Sequence, residues 1–179
     1  MNRFRESVSV LILGCLGLAP LASAQTVQFG IFTSGTNLIV KVKPSINYTS
    51  ANQLVDIIFT IRWDTTITKG ISLGSSTSSY TIDKAGSGTS GVYKYQKFAF
   101  AGTPIPISWA QNVEYDVDTV AVNQTGSGTG IFGLAPFGSV VNGNPYINID
   151  LNDQTNYVTP FYQGIVSGVL LGPPLTPTL

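Results

Sequence analysis

The sequence predicts an all-β protein that folds as a single β-sandwich of about eight to ten strands. Three observations support this fold class. Residues Val55–Trp63 alternate apolar and polar side chains, which is typical of a strand with one buried face. Other alternating segments follow at short spacing, separated by turns rich in Gly, Asn, Ser and Pro. After the first 24 residues, no window of helical length shows a period of about 3.6 residues.

Residues 1–24 have the pattern of a signal peptide for export. Arg3 and Arg5 precede the apolar run Val8–Leu18, and Ala22–Ala24 has the small residues of a cleavage site. The apolar run is too short for a stable transmembrane helix. We therefore expect a secreted or cell-surface protein without a transmembrane segment. Lipoprotein processing at Cys15 is the alternative.

The rest of the chain has the length of one domain with a hydrophobic core. We assign residues 25–168 to the sandwich and residues 169–179 to a Pro-rich C-terminal tail. The sequence has a single cysteine, Cys15, which lies in the predicted signal peptide, so we expect no disulfide. Nine basic and nine acidic residues balance, which makes nucleic acid an unsuitable partner.

Two predicted strands precede Val55–Trp63. Thr26–Phe32 alternates, with its apolar residues on one face, and a turn follows. Asn37–Lys43 alternates again, with lysines on the outer face, and Pro44 ends it.

Weaker strands follow the central one. Ile67–Leu73 and Tyr80–Asp83 are short, and Ala85–Gly91 reads as a flexible turn. Val92–Phe100 alternates poorly, which predicts a twist or a bulge. Gly102–Ser108 contains two prolines and is predicted to be a loop or a sheet edge.

The last part of the chain begins with a second clear strand, Asn112–Val122. Asn123–Gly138 is predicted to be a long Gly-rich loop. Ser139–Asp150 reads as a hairpin around an Asn-Gly turn. Asn156–Gly168 is predicted to be the last strand, interrupted by Pro160.

The residue types available exclude several catalytic mechanisms. The sequence has no histidine, which rules out Ser–His–Asp and Cys–His sites. Carboxylates remain, and Glu114, Asp116 and Asp118 are predicted to share one strand face. Glycosidases need two carboxyl groups across a cleft, whereas these point the same way. We expect a solvated acidic face paired with lysines, and no enzyme.

Calcium is the one cofactor for which the sequence offers candidate ligands. Asp150 and Asp153 form a small group of oxygen ligands directly after a predicted strand. The EF-hand pattern is absent, and Asx-turn capping by these residues is the more ordinary interpretation.

Aromatic residues give the ligand-binding candidates. Trp109 follows the Pro-containing segment, and Tyr93 and Tyr95 share one strand face. Exposed rings in a row would stack on sugars or anchor a protein partner. Half-buried tyrosines on a β-sheet surface are the alternative.

The order of these segments resembles a known family. Leu38–Lys43, a polar link, Val55–Trp63, Asp64 and a strand with a Gly-rich follower are similar to cohesin-like modules, above all those of exported Bacteroidota surface proteins. The resemblance covers most of the chain after residue 24. It implies a jelly-roll-like sandwich, immunoglobulin-like in the broad sense, with non-catalytic protein recognition. Cohesins bind dockerin domains through one sheet face, but no binding residue carries over by motif.

These observations favour a secreted or cell-surface interaction or adhesion module that recognises a protein partner or assembles at the surface. A carbohydrate-binding module that recognises a polysaccharide is the alternative. A carboxylate-based glycoside hydrolase is a third reading. Self-association also stays open, because strands at a sheet edge are templates for pairing.

Overall fold

A computed structural model describes residues 26–66, 70–124, 128–139, 143–162 and 166–171. Every regular element in these ranges is a β-strand, which confirms the predicted all-β class. The same ranges contain no helix with the length and hydrophobicity needed to cross a bilayer. The predicted signal peptide, the turn at Asn142 and residues 172–179 of the predicted tail lie outside the described residues.

The described residues form twelve strands, numbered here in chain order. The first six are β1 (Val27–Ser34), β2 (Asn37–Pro44), β3 (Tyr48–Asp64), β4 (Ile71–Thr77), β5 (Ile82–Ser90) and β6 (Tyr93–Phe100). The other six are β7 (Ile105–Trp109), β8 (Tyr115–Gln124), β9 (Gly128–Leu134), β10 (Tyr146–Ile149), β11 (Asn152–Asp153) and β12 (Val166–Leu171). The last strand ends inside the segment predicted as a tail.

Two antiparallel sheets form the sandwich. Sheet A has the strand order β1-β2-β8-β4. Sheet B has the order β11-β10-β3-β6-β5; in addition, β7 and β9 pair with β3, and β12 pairs with β9. One cluster of buried side chains contains residues from both sheets, so the predicted β-sandwich is confirmed.

The side chains of β2 alternate strictly between the core and the outer face of sheet A. Leu38, Val40 and Val42 are fully buried, whereas Lys41 and Lys43 on the other face are partly exposed. Burial of each such aliphatic side chain stabilises the fold by about 1.5–3 kcal/mol. Because burial of one face determines the pattern of side chains, this strand could be predicted from the sequence.

The long strand β3 is the centre of sheet B. It pairs with β7 and then β6 along one edge, and with β10 and then β9 along the other. Ile57, Phe59 and Ile61 face the core and are fully buried, as the alternation predicts. A register shift against β10 places Leu54 in the core, while Val55 is only partly buried.

Two segments predicted as turns or loops contain strands. Strand β5 covers most of Ala85–Gly91, and β9 lies within Asn123–Gly138. Both pair with neighbouring strands of sheet B, so their backbone groups are satisfied by ladder hydrogen bonds that the Gly-rich composition did not reveal. Gly102–Ser108, predicted to be a loop or a sheet edge, contains most of β7, which pairs with β3 alone among the described strands.

The irregularity predicted for Val92–Phe100 lies on the neighbouring strand instead. β6 pairs with β3 without a register shift, whereas β5 has one between Lys84 and Gly86. The polar side chains of Lys94 and Gln96 line a cleft between the sheets, which explains the poor alternation of β6.

A bulge in β8 changes which of its side chains enter the core. Lys41 of β2 pairs with Asp116, but the preceding Val40 pairs with Asp118, so Val117 is the extra residue. Directly paired residues lie on one face. Asp118 consequently shares the core face with Val40 and is 1% exposed. This corrects the expectation of a solvated Asp118.

The segment before β12 runs beside β1 in the parallel direction. The Phe29 amide donates to the Pro160 carbonyl at 2.8 Å, and the Tyr162 amide donates to the Phe29 carbonyl at 3.2 Å. The ring of Tyr162 lies over Gly30, where a Cβ atom would come within 2.5 Å of it. Gly30 therefore permits this close approach.

The turn between β10 and β11 is strained. Asp150 has φ 53° and Leu151 has φ 63°, and the Leu151 side chain is 80% exposed. A left-handed conformation costs a non-glycine residue about 1–2 kcal/mol.

We expect Leu151→Gly to raise the free energy of unfolding by about 1 kcal/mol, because glycine adopts this conformation without strain. Urea denaturation measures the change. Val158→Gly, at another exposed apolar residue without positive φ, is the control, and an equal gain there would contradict the strain argument.

Candidate functional site

The outer face of sheet B, which points away from sheet A, carries the candidate site. On β3 the outward side chains include Thr60 and Arg62, between the buried Phe59, Ile61 and Trp63. The pairing of β3 with β6 places Lys97 beside Thr60 and Tyr95 beside Arg62 on the same face.

Two tyrosines and an arginine form a cluster on this face. The ring centroids of Tyr93 and Tyr95 are 6.4 Å apart, at an interplanar angle of 58°. The guanidinium carbon of Arg62 lies 4.8 Å from the centroid of the Tyr93 ring, within the range of a cation–π interaction. Tyr95 is 7% exposed, and Tyr93 is half-buried. The two tyrosines share a face as expected; their role in binding stays a prediction.

A cleft of about 470 Å³ opens beside this cluster. Its floor includes Thr60, Tyr95 and Lys97, one wall is Ala85–Ser90 of β5, and Ser139 lies on the other side.

Residues after β9 form the second wall because they cross over β3. The Ala135 amide donates to the Thr60 carbonyl, and the Thr60 hydroxyl donates to the Gly143 carbonyl, both at 2.8 Å. These bonds explain why the outward-pointing Thr60 is only 1% exposed.

The opposite side of the face carries further aromatic residues, of which Tyr157, near the predicted last strand, was also a sequence-based candidate for binding. The side-chain amide of Asn148 donates to the Tyr146 hydroxyl, and the Tyr157 hydroxyl donates to an Asp153 carboxylate oxygen, each at 2.9 Å. Phe137 packs edge-on against Tyr157 with centroids 4.9 Å apart, yet remains 59% exposed. No periodicity marks Phe137, because it lies outside the strands.

Burial raises the pKa of two groups on the part of the outer face that carries Tyr146 and Tyr157. The pKa of Asp56 is raised by burial, although a backbone hydrogen bond and the charge of Lys97 oppose the shift. Burial also raises the pKa of the Tyr157 hydroxyl. The Tyr157 phenol is thus neutral and donates to Asp153 at ordinary pH.

Trp109 does not lie on the candidate face, which corrects the expectation of an exposed ring. It is 2% exposed and is surrounded by Tyr48, Tyr80 and Tyr115 at centroid distances of 6.2, 6.1 and 5.7 Å. Its indole N–H donates to the Tyr80 hydroxyl at 3.2 Å. Pairing of β7 with β3 turns this ring inward, which the preceding prolines did not reveal.

The two aspartates predicted as calcium ligands both accept hydrogen bonds. Asp150 accepts from the Asn52 side chain and the Gln53 amide, both at 2.7 Å. Asp153 accepts from the Thr155 amide at 2.9 Å, as in an Asx turn. The described residues contain no group of three or more acidic, His or Cys side chains able to hold a metal. Calcium binding by Asp150 and Asp153 stays a prediction.

The acidic residues near β8 divide into two environments. Lys41 forms ion pairs with Glu114 at 3.5 Å and Asp116 at 3.2 Å, as expected for an acidic face paired with lysine. Asp118 is buried, and one of its carboxylate oxygens accepts from the Ser76 hydroxyl at 2.5 Å. Burial raises the pKa of Asp118 to about 6, against the opposing effect of its hydrogen bonds.

Comparison with known proteins gives two structural likenesses. No family model matches the chain, and no curated protein matches it. A cohesin module from a Clostridium perfringens family 33 glycoside hydrolase is 11% identical, covers 77% of this chain and 98% of its own, and has a TM-score of 0.38. A non-cellulosomal cohesin from the archaeon Archaeoglobus fulgidus is 10% identical, covers 67% and 82%, and has a TM-score of 0.31. Both scores are below 0.5, so the fold rests on the strand pairing described above.

Proposed function

We propose that this chain is an exported, non-catalytic recognition module that binds a protein partner through the outer face of sheet B. The observation that carries the proposal is the Arg62–Tyr93–Tyr95 cluster at the edge of the cleft. Tyrosine and arginine are the residue types that contribute most strongly to protein–protein interfaces.

The shape of the face supports this choice. The cleft floored by Tyr95 could receive one protruding side chain, while Tyr93 and Arg62 beside it would contact the surrounding surface of the partner. Anchors that fill pockets of this kind dominate binding energies.

The distribution of charge on the outer face of sheet B suits a partner that is not strongly charged. Arg62 and Lys97 lie on the same face as Asp56 and Asp64, so charges of both signs are interspersed. Such a pattern would favour orientation and specificity rather than general attraction to a polyanion.

Export is supported by the N-terminal pattern of the sequence. Arg3 and Arg5, the apolar run Val8–Leu18 and the small residues Ala22–Ala24 match a signal peptide.

Carbohydrate binding is the second candidate. The cleft walls favour it, because Ser90, which pairs with Tyr93 on the outer face, and Ser139 offer hydroxyl groups beside Tyr95. The tilt of 58° between Tyr93 and Tyr95 argues against a flat stacking platform for sugar rings.

A capture experiment with matched variants tests the proposal. We expect the double variant Arg62→Ala, Tyr93→Ala to weaken capture of a protein partner by about tenfold or more, because hot-spot residues of these types are removed. The measurement is quantitative affinity capture from the surface and culture proteins of the source organism, with immobilised purified protein.

The control variant is Lys41→Ala on the outer face of sheet A, which should capture the partner like the wild type. Equal loss with both variants, or none with either, would contradict the assignment to sheet B. Retention on an insoluble polysaccharide that is lost with Tyr95→Ala would instead support the carbohydrate candidate.

A further inference from the structure

The free edge of β5 is the feature from which we draw a further inference. Among the described strands, β5 pairs with β6 and ends sheet B. Residues Asp83–Ser90 are all exposed. A strand in this position directs every second N–H and C=O away from its own sheet, and these groups can pair with another strand.

Contacts with sheet A are confined to the beginning of β5. The Ser76 hydroxyl oxygen lies 3.0 Å from the Ile82 carbonyl oxygen, and the Lys84 ammonium donates to the Leu73 carbonyl. Beyond Lys84 a cleft of about 350 Å³ separates β5 from β4, with Ser87–Thr89 on one side and Ile71–Leu73 on the other. The second half of β5 is therefore accessible along its edge.

The usual protection of an edge strand is present only where sheet A already covers it. Edges are commonly blunted by charged residues, by proline or by a bulge. In β5 the charges are Asp83 and Lys84, and the register shift lies between Lys84 and Gly86. The following residues, Gly86–Ser90, contain neither a charge nor a proline.

We propose that two copies of this chain associate by antiparallel pairing of their β5 edges through Gly86–Ser90. A second copy suits this edge because the segment is uncharged, so two copies meet without like-charge repulsion. Its side chains are no larger than threonine, so the two backbones can approach to the usual strand spacing.

Symmetry favours the same partner over a foreign peptide. A two-fold axis beside β5 would satisfy both free edges in one contact. The edge segment also offers no large side chain that would select a particular foreign sequence.

The resulting dimer would have a continuous sheet with the order β10-β3-β6-β5 followed by its two-fold copy. The Arg62–Tyr93–Tyr95 clusters of both copies would then lie on one extended surface. A partner that presents the recognised surface more than once would contact both clusters, and the two linked contacts would increase its overall affinity. The association itself does not depend on the proposed function, because it involves no other molecule.

Sedimentation velocity on the purified protein tests the pairing. We expect the wild type to pass from one-chain to two-chain mass between about 10 µM and 1 mM, since a small polar interface gives weak association. Ser87→Lys with Thr89→Lys should raise the dissociation constant by about tenfold or more, and Ser87→Glu with Thr89→Glu should do the same, because like charges meet across the axis. An equimolar mixture of the two double variants should regain the two-chain mass, which also demonstrates that both are folded.

The control carries the same added charge elsewhere, at the exposed residues Val113→Lys and Val158→Lys, and should associate like the wild type. A wild type that keeps one-chain mass at every concentration would overturn the proposal. Two-chain mass that persists in both double variants would also overturn it, because the interface would then lie elsewhere.

Discussion

Replacing Trp109 by alanine is expected to lower the free energy of unfolding by about 3–5 kcal/mol, the usual loss for a large buried aromatic residue. The indole is 2% exposed and packs against three tyrosines, with Tyr115 stacked on it at an angle of 25°. Its removal leaves a cavity and an unpaired Tyr80 hydroxyl. Urea denaturation followed by far-UV circular dichroism measures the change.

The matched control is Tyr93→Ala, which removes a half-buried ring from the outer face and should cost about 1 kcal/mol or less. Similar losses for both variants would mean that Trp109 is not the packing centre described here. A ligand-binding defect in a fully stable Trp109→Ala protein would restore the sequence-based expectation of an exposed ring.

The buried carboxyl of Asp118 is expected to make the protein more stable in mild acid than at neutral pH. Its pKa is raised from 3.8 to about 6 in the folded state, so the folded state binds more protons between these values. The free energy of unfolding therefore falls as the pH rises through this window. The expected loss from pH 4 to pH 7 is on the order of 2–3 kcal/mol.

Asp118→Asn isolates this effect, because it keeps the shape of the side chain and removes the charge. We expect the variant to be more stable than the wild type at pH 7 and to lose most of the dependence between pH 4 and pH 7. Urea denaturation across that range gives both values. Parallel pH profiles for the two proteins would show that other groups control the dependence.

The alternating strands could be predicted from the sequence because burial of one face dominates them. β2 and the second half of β3 follow the pattern closely, with Leu38, Val40, Phe59 and Ile61 all fully buried. The sandwich class follows, since several such strands need a second layer.

The Gly-rich strand β5 could not be predicted, because backbone pairing rather than side-chain burial holds it. β5 has little apolar character after Ile82, and its ladder with β6 supplies the order. The bulge at Val117 is equally invisible to a pattern of period two. One extra residue moved Asp118 from the expected solvated face to the core.

Part of the candidate site could be predicted and part could not. Tyr93 and Tyr95 share a face because they are two positions apart on one strand. The cleft beside them depends on the hydrogen bonds of Ala135 and Gly143 with Thr60 of β3, which are long-range contacts. The burial of Trp109 could not be predicted from the neighbouring Pro-rich segment, because pairing of β7 with β3 decides where its ring points.

Site-specific photo-crosslinking tests the central claim most directly. A photoreactive phenylalanine analogue would replace Tyr93 on the outer face of sheet B, and in a second protein Lys41 on the outer face of sheet A. We predict that irradiation with the captured partner gives a covalent adduct from position 93 and none from position 41. An adduct from position 41 alone would place recognition on sheet A and contradict the account.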